Sequence, residues 1–565
     1  MGKSLVAYED SELVVVTSGV LYRSTTESTY VSNHSHHLAN RFRSGGLEAA
    51  AATPGHFSCL IVEKGIDRAH AFGDDRGGKR IFFSEDGAVL ATKLYSVSQS
   101  LSRITPDIDH RDFTLVFGYA PHERTVYREV SRLDAGWTLT VDTHGLGRNS
   151  RTRPRQVTRS PGKNEATVIG EMYDRFHDAV NSILDGYDRV AVFLGGFDSA
   201  LVASLARRSG RQVHAYTFKY ENEEFNQKNI DNVKSALDIE HTWVPISAKT
   251  ISEGFHDYRK FYDRPTNWPN YLIQTRALAE FAERDGAEAV LTGDGCDEIF
   301  LGYPGIYRGS KFFADDKIAG PLEVALAHGI FKHKGAEQAL GHLYRLGMRV
   351  IRNRAEPLRT RLYLMFRIMD ESTIAHIFGW PEKDIENRVR AVINEIEPTV
   401  PDVDPTLLAY EGRDHIVPNR LKINGVMDGI GLPVYTPYMH PLVRDYVREL
   451  PEELLRPGGE AKRTTLGKDI LLKMADQKGL LPHEVIYQPK HAAVDGPLDY
   501  WYATDLRDQL TELIRRIAPV KDPKFLQSIL DEKWVEKVYR RRFSVDSITS
   551  HAASMLATYG SYFDN

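Results

Sequence analysis

The 565-residue chain holds only two cysteines, Cys59 and Cys296, and neither belongs to a C-x-x-C pair. So small a thiol inventory argues against a disulfide framework or a structural zinc site, and it fits a reducing, cytoplasmic compartment. Long apolar runs are missing as well. Leu13-Val14-Val15-Val16 is too short for a signal segment, and no later stretch approaches the ~20 apolar residues that a membrane span requires. A strong net charge is also lacking: the formal balance of −5 gives no global pull toward nucleic acid or an anionic membrane. Internal repeats and low-complexity tracts are absent. What remains is the composition of an ordinary globular protein, too long for one core, from which chemistry on a small molecule or peptide is expected.

Residues 1 to about 145 are punctuated by short β-like runs at Leu13–Thr17, Phe57–Val62, Arg80–Phe83, Val89–Ala91, Thr114–Phe117 and Trp137–Val141, and read as a sheet-rich domain with few helices. The basic stretch SRTRPRQVTRSPGKNEA (150–166) carries two prolines and no apolar period, and reads as a linker. Beyond it strand and helix signals alternate. Strands are expected at Arg189–Leu194, Gln212–Tyr216, His241–Pro245 and Ala289–Thr292, with helices to about Arg208, near Asn226–Leu237 and across Tyr271–Arg284. That alternation predicts a parallel α/β sheet. Helical text fills about 306–400 and about 500–565. Within the first of these, residues 332–370 hold nine Lys or Arg against three acids, a solvated helix face or a dock for an acidic partner. His34, His36 and His37 lack the companion ligands of a metal site.

Two glycine-rich strand ends carry the chemistry. RVAVFLGGFDSALVASLA (189–206) runs from a buried strand through Leu194-Gly195-Gly196-Phe197-Asp198-Ser199 into a helix, a turn that aims backbone N–H groups at an anion. AVLTGDGCDEIFLGYP (289–304) repeats the design with Thr292, Gly293, Asp294, Gly295, Asp297 and Glu298. Ligands of open α/β sheets sit beyond the carboxyl ends of the strands, so the two ends are expected to face one crevice. There Asp198 and Asp297 are placed to hold Mg²⁺, although N-capping is an equally good account of either aspartate alone.

The two loops resemble the SGGxDS and SGxGxDE motifs of the asparagine synthetase family of ATP pyrophosphatases. Residues 422–455 and 467–490, the latter with Lys468 in GKDIL and Lys490 in QPK, are similar to that family's substrate-side segment and lysine-bearing helix. Residues 57–87 and 118–139 are similar to its glutaminase domain. The resemblance implies an N-terminal sheet-rich Ntn-hydrolase-like αββα domain (1–149), the linker (150–166) and a parallel-sheet α/β ATP-pyrophosphatase (PP-loop) domain with helical extensions (167–565). It implies ATP and Mg²⁺ as cofactors and an AMP-forming amide ligation of a substrate carboxylate. It further implies Leu194, Gly195, Gly196, Asp198, Ser199, Phe218, Thr292 and Gly293 as the nucleotide lining, and Asp198 and Asp297 as metal ligands. Asp294 would orient or deprotonate the amine, and Lys468 would stabilise charge on the adenylate and pyrophosphate.

The chain departs from that pattern in three places. Residue 2, the nucleophilic cysteine of glutamine-dependent members, is Gly2, and the family's acidic residue gives way to Thr92-Lys93-Leu94, so glutamine hydrolysis is not expected. The charged acceptor segment is replaced by Asn424-Gly425 and by Pro433-Val434-Tyr435-Thr436-Pro437-Tyr438-Met439-His440, a lining suited to a larger, less charged substrate than aspartate. Both changes are similar to those in β-lactam synthetases and lasso-peptide macrolactam cyclases, whose substrates bring their own amine. An ammonia-dependent synthetase fed by free ammonia or a separate glutaminase, and a non-catalytic nucleotide- or partner-binding descendant, are the alternatives. Peptide, carrier or glutaminase partners fit these readings, whereas membrane and nucleic acid do not. At the third departure, Leu194 stands where relatives place a hydroxyl, and weaker pyrophosphate contacts are expected, with the backbone N–H groups retained.

Overall fold

The computed structural model describes residues 5–22, 34–74, 78–118, 124–149, 159, 162, 164–220, 227–303, 306–307, 310–311, 356–396, 404–416, 423–455, 468–488, 498–530 and 547–563. Gly2, Lys490, most of the linker and residues 312–355 of the helical insert lie outside the described residues.

The first part of the chain builds two antiparallel sheets. Strands β1 (Leu5–Glu9), β2 (Leu13–Leu21), β3 (Gly55–Glu63), β4 (Arg68–Gly73), β8 (Thr138–Asp142) and β9 (Gly145–Asn149) join in that spatial order. A smaller sheet runs β6 (Leu90–Ala91), β5 (Phe82–Ser84), β7 (Val130–Arg132). Alternation in β2 buries Leu13, Val15 and Thr17 on one face, and helix α1 (His34–Ala51) covers that face with Leu38, Ala39 and Ala50. Cys59 sits in the same core at 2 % exposure.

Thr114–Phe117 is the end of a helix, α2 (Ile108–Phe117), rather than a strand. Phe113, Thr114, Leu115, Val116 and Phe117 are all buried, so the tertiary core overrides the β propensity of the segment, and the Phe113 and Phe117 rings meet at 4.5 Å with helical spacing. The Asp107 carboxylate caps the helix by accepting from the His110 N–H.

After helix α3 (Glu165–Ile183), capped by Asn164, come β10 (Arg189–Phe193), α4 (Phe197–Arg208), β11 (Gln212–Tyr220), α5 (Gln227–Leu237), β12 (Glu240–Ile246), α6 (Pro269–Arg284) and β13 (Ala289–Leu291). The alternation read from sequence is present strand by strand. A fifth strand, β14 (Val434–Tyr435), completes an all-parallel sheet of order β12-β11-β10-β13-β14. The chain winds outward from β10 to β12, then crosses to the other side of β10 for β13. A crevice therefore opens at the carboxyl ends of β10 and β13, where the order reverses.

One continuous apolar cluster runs from Val20 and Phe113 through Val192 to Tyr562, joining the antiparallel part to the parallel one. The Tyr127 hydroxyl donates to the Tyr562 carbonyl at 2.8 Å, and the Ile368 N–H to the Val116 carbonyl at 2.8 Å. In the basic insert, Arg359 donates to the Ile396 carbonyl at 2.9 Å and Arg367 pairs with buried Glu371 at 3.3 Å, so these two cations serve internal contacts.

Candidate functional site

Beyond Phe193 the chain turns through Leu194, Gly195 and Gly196 into α4, a helix buried along nearly its whole length from Phe197 to Ala206. Such a helix cannot shift without disturbing the core, so its N-terminus is a fixed platform. A Cβ added at Gly195 or Gly196 meets nothing within 4 Å, which leaves open space above the turn. In this state the N–H groups of Gly195 and Gly196 both donate to the Ser199 hydroxyl, at 2.9 and 3.3 Å.

Leu194 takes a different place from the one expected of it. Its N–H donates to the Tyr216 carbonyl at 2.9 Å, its carbonyl accepts from the Thr217 hydroxyl at 2.7 Å, and its side chain is 2 % exposed in the core. The sheet thus takes the backbone donor that was to remain for a phosphate, and Leu194 offers the cradle neither side chain nor N–H. Phe218 lies further along β11, buried against Tyr220 with ring centroids 5.4 Å apart.

The second loop meets the first. Thr292 donates its N–H to the Tyr435 carbonyl at 3.0 Å, which continues the β13–β14 ladder, and Gly293 then passes directly over the start of α4. A Cβ on Gly293 would lie 2.8 Å from the Asp198 Cβ and 2.8 Å from the Ser199 nitrogen, so only glycine permits the approach. Asp297 follows in the short helix Cys296–Ile299, while Glu298 is turned inward and accepts from the Tyr303 hydroxyl at 2.8 Å.

Lys468 joins the two aspartates. Its Nζ lies 2.5 Å from Asp198 Oδ1 and 2.8 Å from Asp297 Oδ1, and the residue is 1 % exposed. Burial alone would favour the neutral amine, but the two carboxylates outweigh it and hold the ammonium well above its ordinary range. The lysine reaches them from a left-handed backbone (φ 61°, ψ 32°) at the cap of helix α7 (Asp469–Gln477), a conformation that costs a non-glycine residue about 1–2 kcal/mol. Gly302 makes room, since a Cβ there would overlap Asp297 Oδ1 and Lys468 Cε. Sequence reading missed Gly302, whose only signal is a glycine five residues after Asp297.

Asp294 stands on the other side of the loop. Its carboxylate accepts from the Thr292 hydroxyl at 3.3 Å and faces the Tyr271 hydroxyl at 3.5 Å. Burial, then the Asp294 charge, push the Tyr271 phenol well above its usual range, so it stays protonated toward that carboxylate. Tyr271, on α6, was not picked out from sequence.

A cavity adjoins this loop, lined by Thr292, Ile423, Asn424, Val434, Tyr435, Thr436 and Met439 together with Tyr22, His56, Asp74, Gly78 and Arg444. Tyr438 and His440, counted in sequence as acceptor lining, are not among its walls. Tyr438 is fully buried beside Phe176 and Phe300 and donates to the Asp198 carbonyl at 2.9 Å, while His440 packs on Tyr22 and caps the following helix.

Both thiols are inert by environment. Burial raises Cys59 to about 12, and burial together with the Asp198 charge raises Cys296 well above the usual thiol value. Among the described residues no cluster of three or more metal-ligating side chains occurs. Mg²⁺ held partly by phosphate oxygens needs only one or two carboxylates, and the Asp198–Asp297 pair, which already accommodates one cation, satisfies that requirement. No helix among the described residues is long and apolar enough to cross a membrane.

The sequence model of the asparagine synthase family matches residues 171–558. The chain belongs to that family. No curated protein matches it. Similar solved structures include an NMN synthetase from Francisella tularensis, at 20 % identity over 25 % of this chain and 59 % of that one, TM-score 0.19. An NH3-dependent NAD synthetase from Campylobacter jejuni in complex with nitrate is 19 % identical over 42 % of this chain and 99 % of that one, TM-score 0.19. A glutamine-dependent NAD+ synthetase from Acinetobacter baumannii in complex with ADP is 15 % identical over 48 % and 53 %, TM-score 0.20. The chain thus spans little more than half the length of the first and third of these enzymes.

Proposed function

We propose that this protein is an ATP-dependent carbon–nitrogen ligase that activates a substrate carboxylate as its adenylate, with release of pyrophosphate, and joins it to an amine that the substrate itself carries, without using glutamine. The observation that carries the reading is the convergence of Asp198, Asp297 and Lys468 where two glycine-rich strand ends meet. Gly195, Gly196 and Ser199 would receive the phosphates at the start of α4. Asp198 and Asp297 would hold Mg²⁺, which when bound supplies charge neutralisation for those phosphates. Lys468 offers a permanent positive charge beside the departing pyrophosphate. Asp294, held by Thr292 and Tyr271 on the second loop, would accept a proton from the attacking amine.

Independence from glutamine is supported by the two cysteines, both buried with raised pKa values and so poor nucleophiles. The replacement of a charged acceptor segment by Pro433–His440 is the ground for reading the substrate as larger and less charged than aspartate, as in specialised lactam or macrolactam formation. We read the antiparallel part (1–149) as an Ntn-hydrolase-like domain without glutaminase function, 150–166 as its linker and 167–565 as the ligase domain, working in the cytoplasm on a small-molecule or peptide carboxylate.

ATP–pyrophosphate exchange over a panel of carboxylates, followed by product mass, tests the proposal. A product lighter than its substrate by one water, with no nitrogen gained, is the expected result. Turnover of a simple carboxylic acid with ammonium salts alone would overturn the self-amine reading.

A further inference from the structure

Both halves of the site carry a side chain where a ligand belongs. On the cationic side, the Lys468 ammonium sits between Asp198 and Asp297, 2.5 and 2.8 Å from their oxygens. On the anionic side, the Ser199 hydroxyl takes the Gly195 and Gly196 N–H groups that a phosphate would use. The lysine is not there by default. It adopts a left-handed backbone to reach the pair, and Gly302 leaves the space through which its stem passes. Observed strain of this kind at a candidate site points to a functional role for the residue that bears it.

We propose that Lys468 is the resident counter-ion of the metal site: without nucleotide its ammonium substitutes for the divalent cation, and metal enters only together with ATP by displacing it. The inference rests on the assignment of Asp198 and Asp297 as metal ligands. Its physical basis is that the Lys468 Nζ already occupies the space between the two carboxylates, and the same oxygens cannot bind an ammonium and a divalent ion at once. A metal arriving alone must expel Lys468 with nothing to receive it. A metal arriving with triphosphate brings anionic oxygens that take the ammonium in exchange.

The test is Mn²⁺ binding, read by loss of the free-ion electron paramagnetic resonance signal, on the full-length enzyme and on Lys468→Met. The wild-type enzyme is expected to bind Mn²⁺ with a non-hydrolysable ATP analogue and not with Mn²⁺ alone. Lys468→Met should bind Mn²⁺ alone at least about tenfold more tightly than wild type, and its melting temperature should rise with MnCl2 where that of wild type does not. If the variant unfolds without metal, refolding it with MnCl2 should restore its circular dichroism; failure to do so overturns the proposal. Equal Mn²⁺ affinity of the two proteins without nucleotide overturns the exchange while leaving the metal site standing. Absence of Mn²⁺ binding to wild type even with the analogue overturns the metal assignment and the exchange together.

Discussion

Replacing Gly293 by alanine puts a methyl carbon 2.8 Å from the Asp198 Cβ, 2.8 Å from the Ser199 nitrogen and 3.0 Å from the Asp198 carbonyl carbon. Ordinary carbon contacts lie at about 3.5–4.0 Å, so the two loops must part by roughly 0.7–1.2 Å. None of the three atoms is the end of a flexible side chain. Helix α4 is locked by its buried residues from Phe197 to Ala206, and the other loop is pinned by the Thr292 N–H on the Tyr435 carbonyl. Overpacking of this kind costs about 1–3 kcal/mol, and a shift of ~1 Å between groups that act together costs on the order of 100-fold in rate. Gly293→Ala should therefore melt earlier than wild type and lose on the order of 100-fold in ATP–pyrophosphate exchange. Gly195→Ala is the contrast. Its added carbon meets nothing within 4 Å but projects into the open space above the turn, so melting should be unchanged while the KM for ATP rises. A Gly293→Ala protein with wild-type exchange would refute the idea that contact between the two loops sets the site geometry.

Other substitutions separate folding from function. Gly170→Ala, inside α3 with open space around the new methyl, should stabilise by about 0.5–1 kcal/mol in urea unfolding and leave exchange unchanged. Leu194→Ser should destabilise by about 2–4 kcal/mol without raising exchange, because the side chain points into the core; a gain in exchange at unchanged melting temperature would place the hydroxyl in the cradle after all. His56 and His440 are held down to about 3, each by burial first and then by a neighbouring cation, Lys79 and Arg444 respectively, with Asp445 opposing at His440. The unfolded chain therefore takes up their protons first on acidification. Their cost is nil above about pH 6.5 and grows as pH falls toward 3, at about 1.4 kcal/mol per pH unit per histidine. His440→Asn keeps an acceptor for the Leu442 N–H and should reduce proton uptake on unfolding at pH 4–6 by about one, measured from urea midpoints against pH. An unchanged pH slope would show that His440 does not titrate in that window.

Where local pattern and tertiary environment agree, the fold was legible. The β10–α4–β11–α5–β12 alternation follows from strand runs flanked by helical spacing, and each crossover forces the next parallel strand into place. The glycine and aspartate spacing of the two loops likewise announced their meeting, because strands that neighbour in a parallel sheet end at the same edge. Thr114–Phe117 was misread because the last six residues of the helix are all buried and so show no amphipathic period. The two-residue β14 was missed because it gains its identity only from β13 beside it.

Leu194 shows the sharper limit. Aligned by motif, it replaces a hydroxyl at the first position of a phosphate loop, and the natural inference is a weakened loop. In the fold its N–H and carbonyl belong to the sheet and its side chain to the core. The change therefore falls on packing, and the cradle is left to Gly195, Gly196 and Ser199. Lys468 runs the other way. Its residue type announced a positive charge near the phosphates, but nothing in the local sequence GKDIL says that the ammonium lies between two aspartates 270 and 171 residues upstream. That placement depends on a left-handed residue and on the missing side chain of Gly302. A motif identifies which groups are available to a site; which of them face the ligand and which neutralise one another before it arrives is decided by the packing around them.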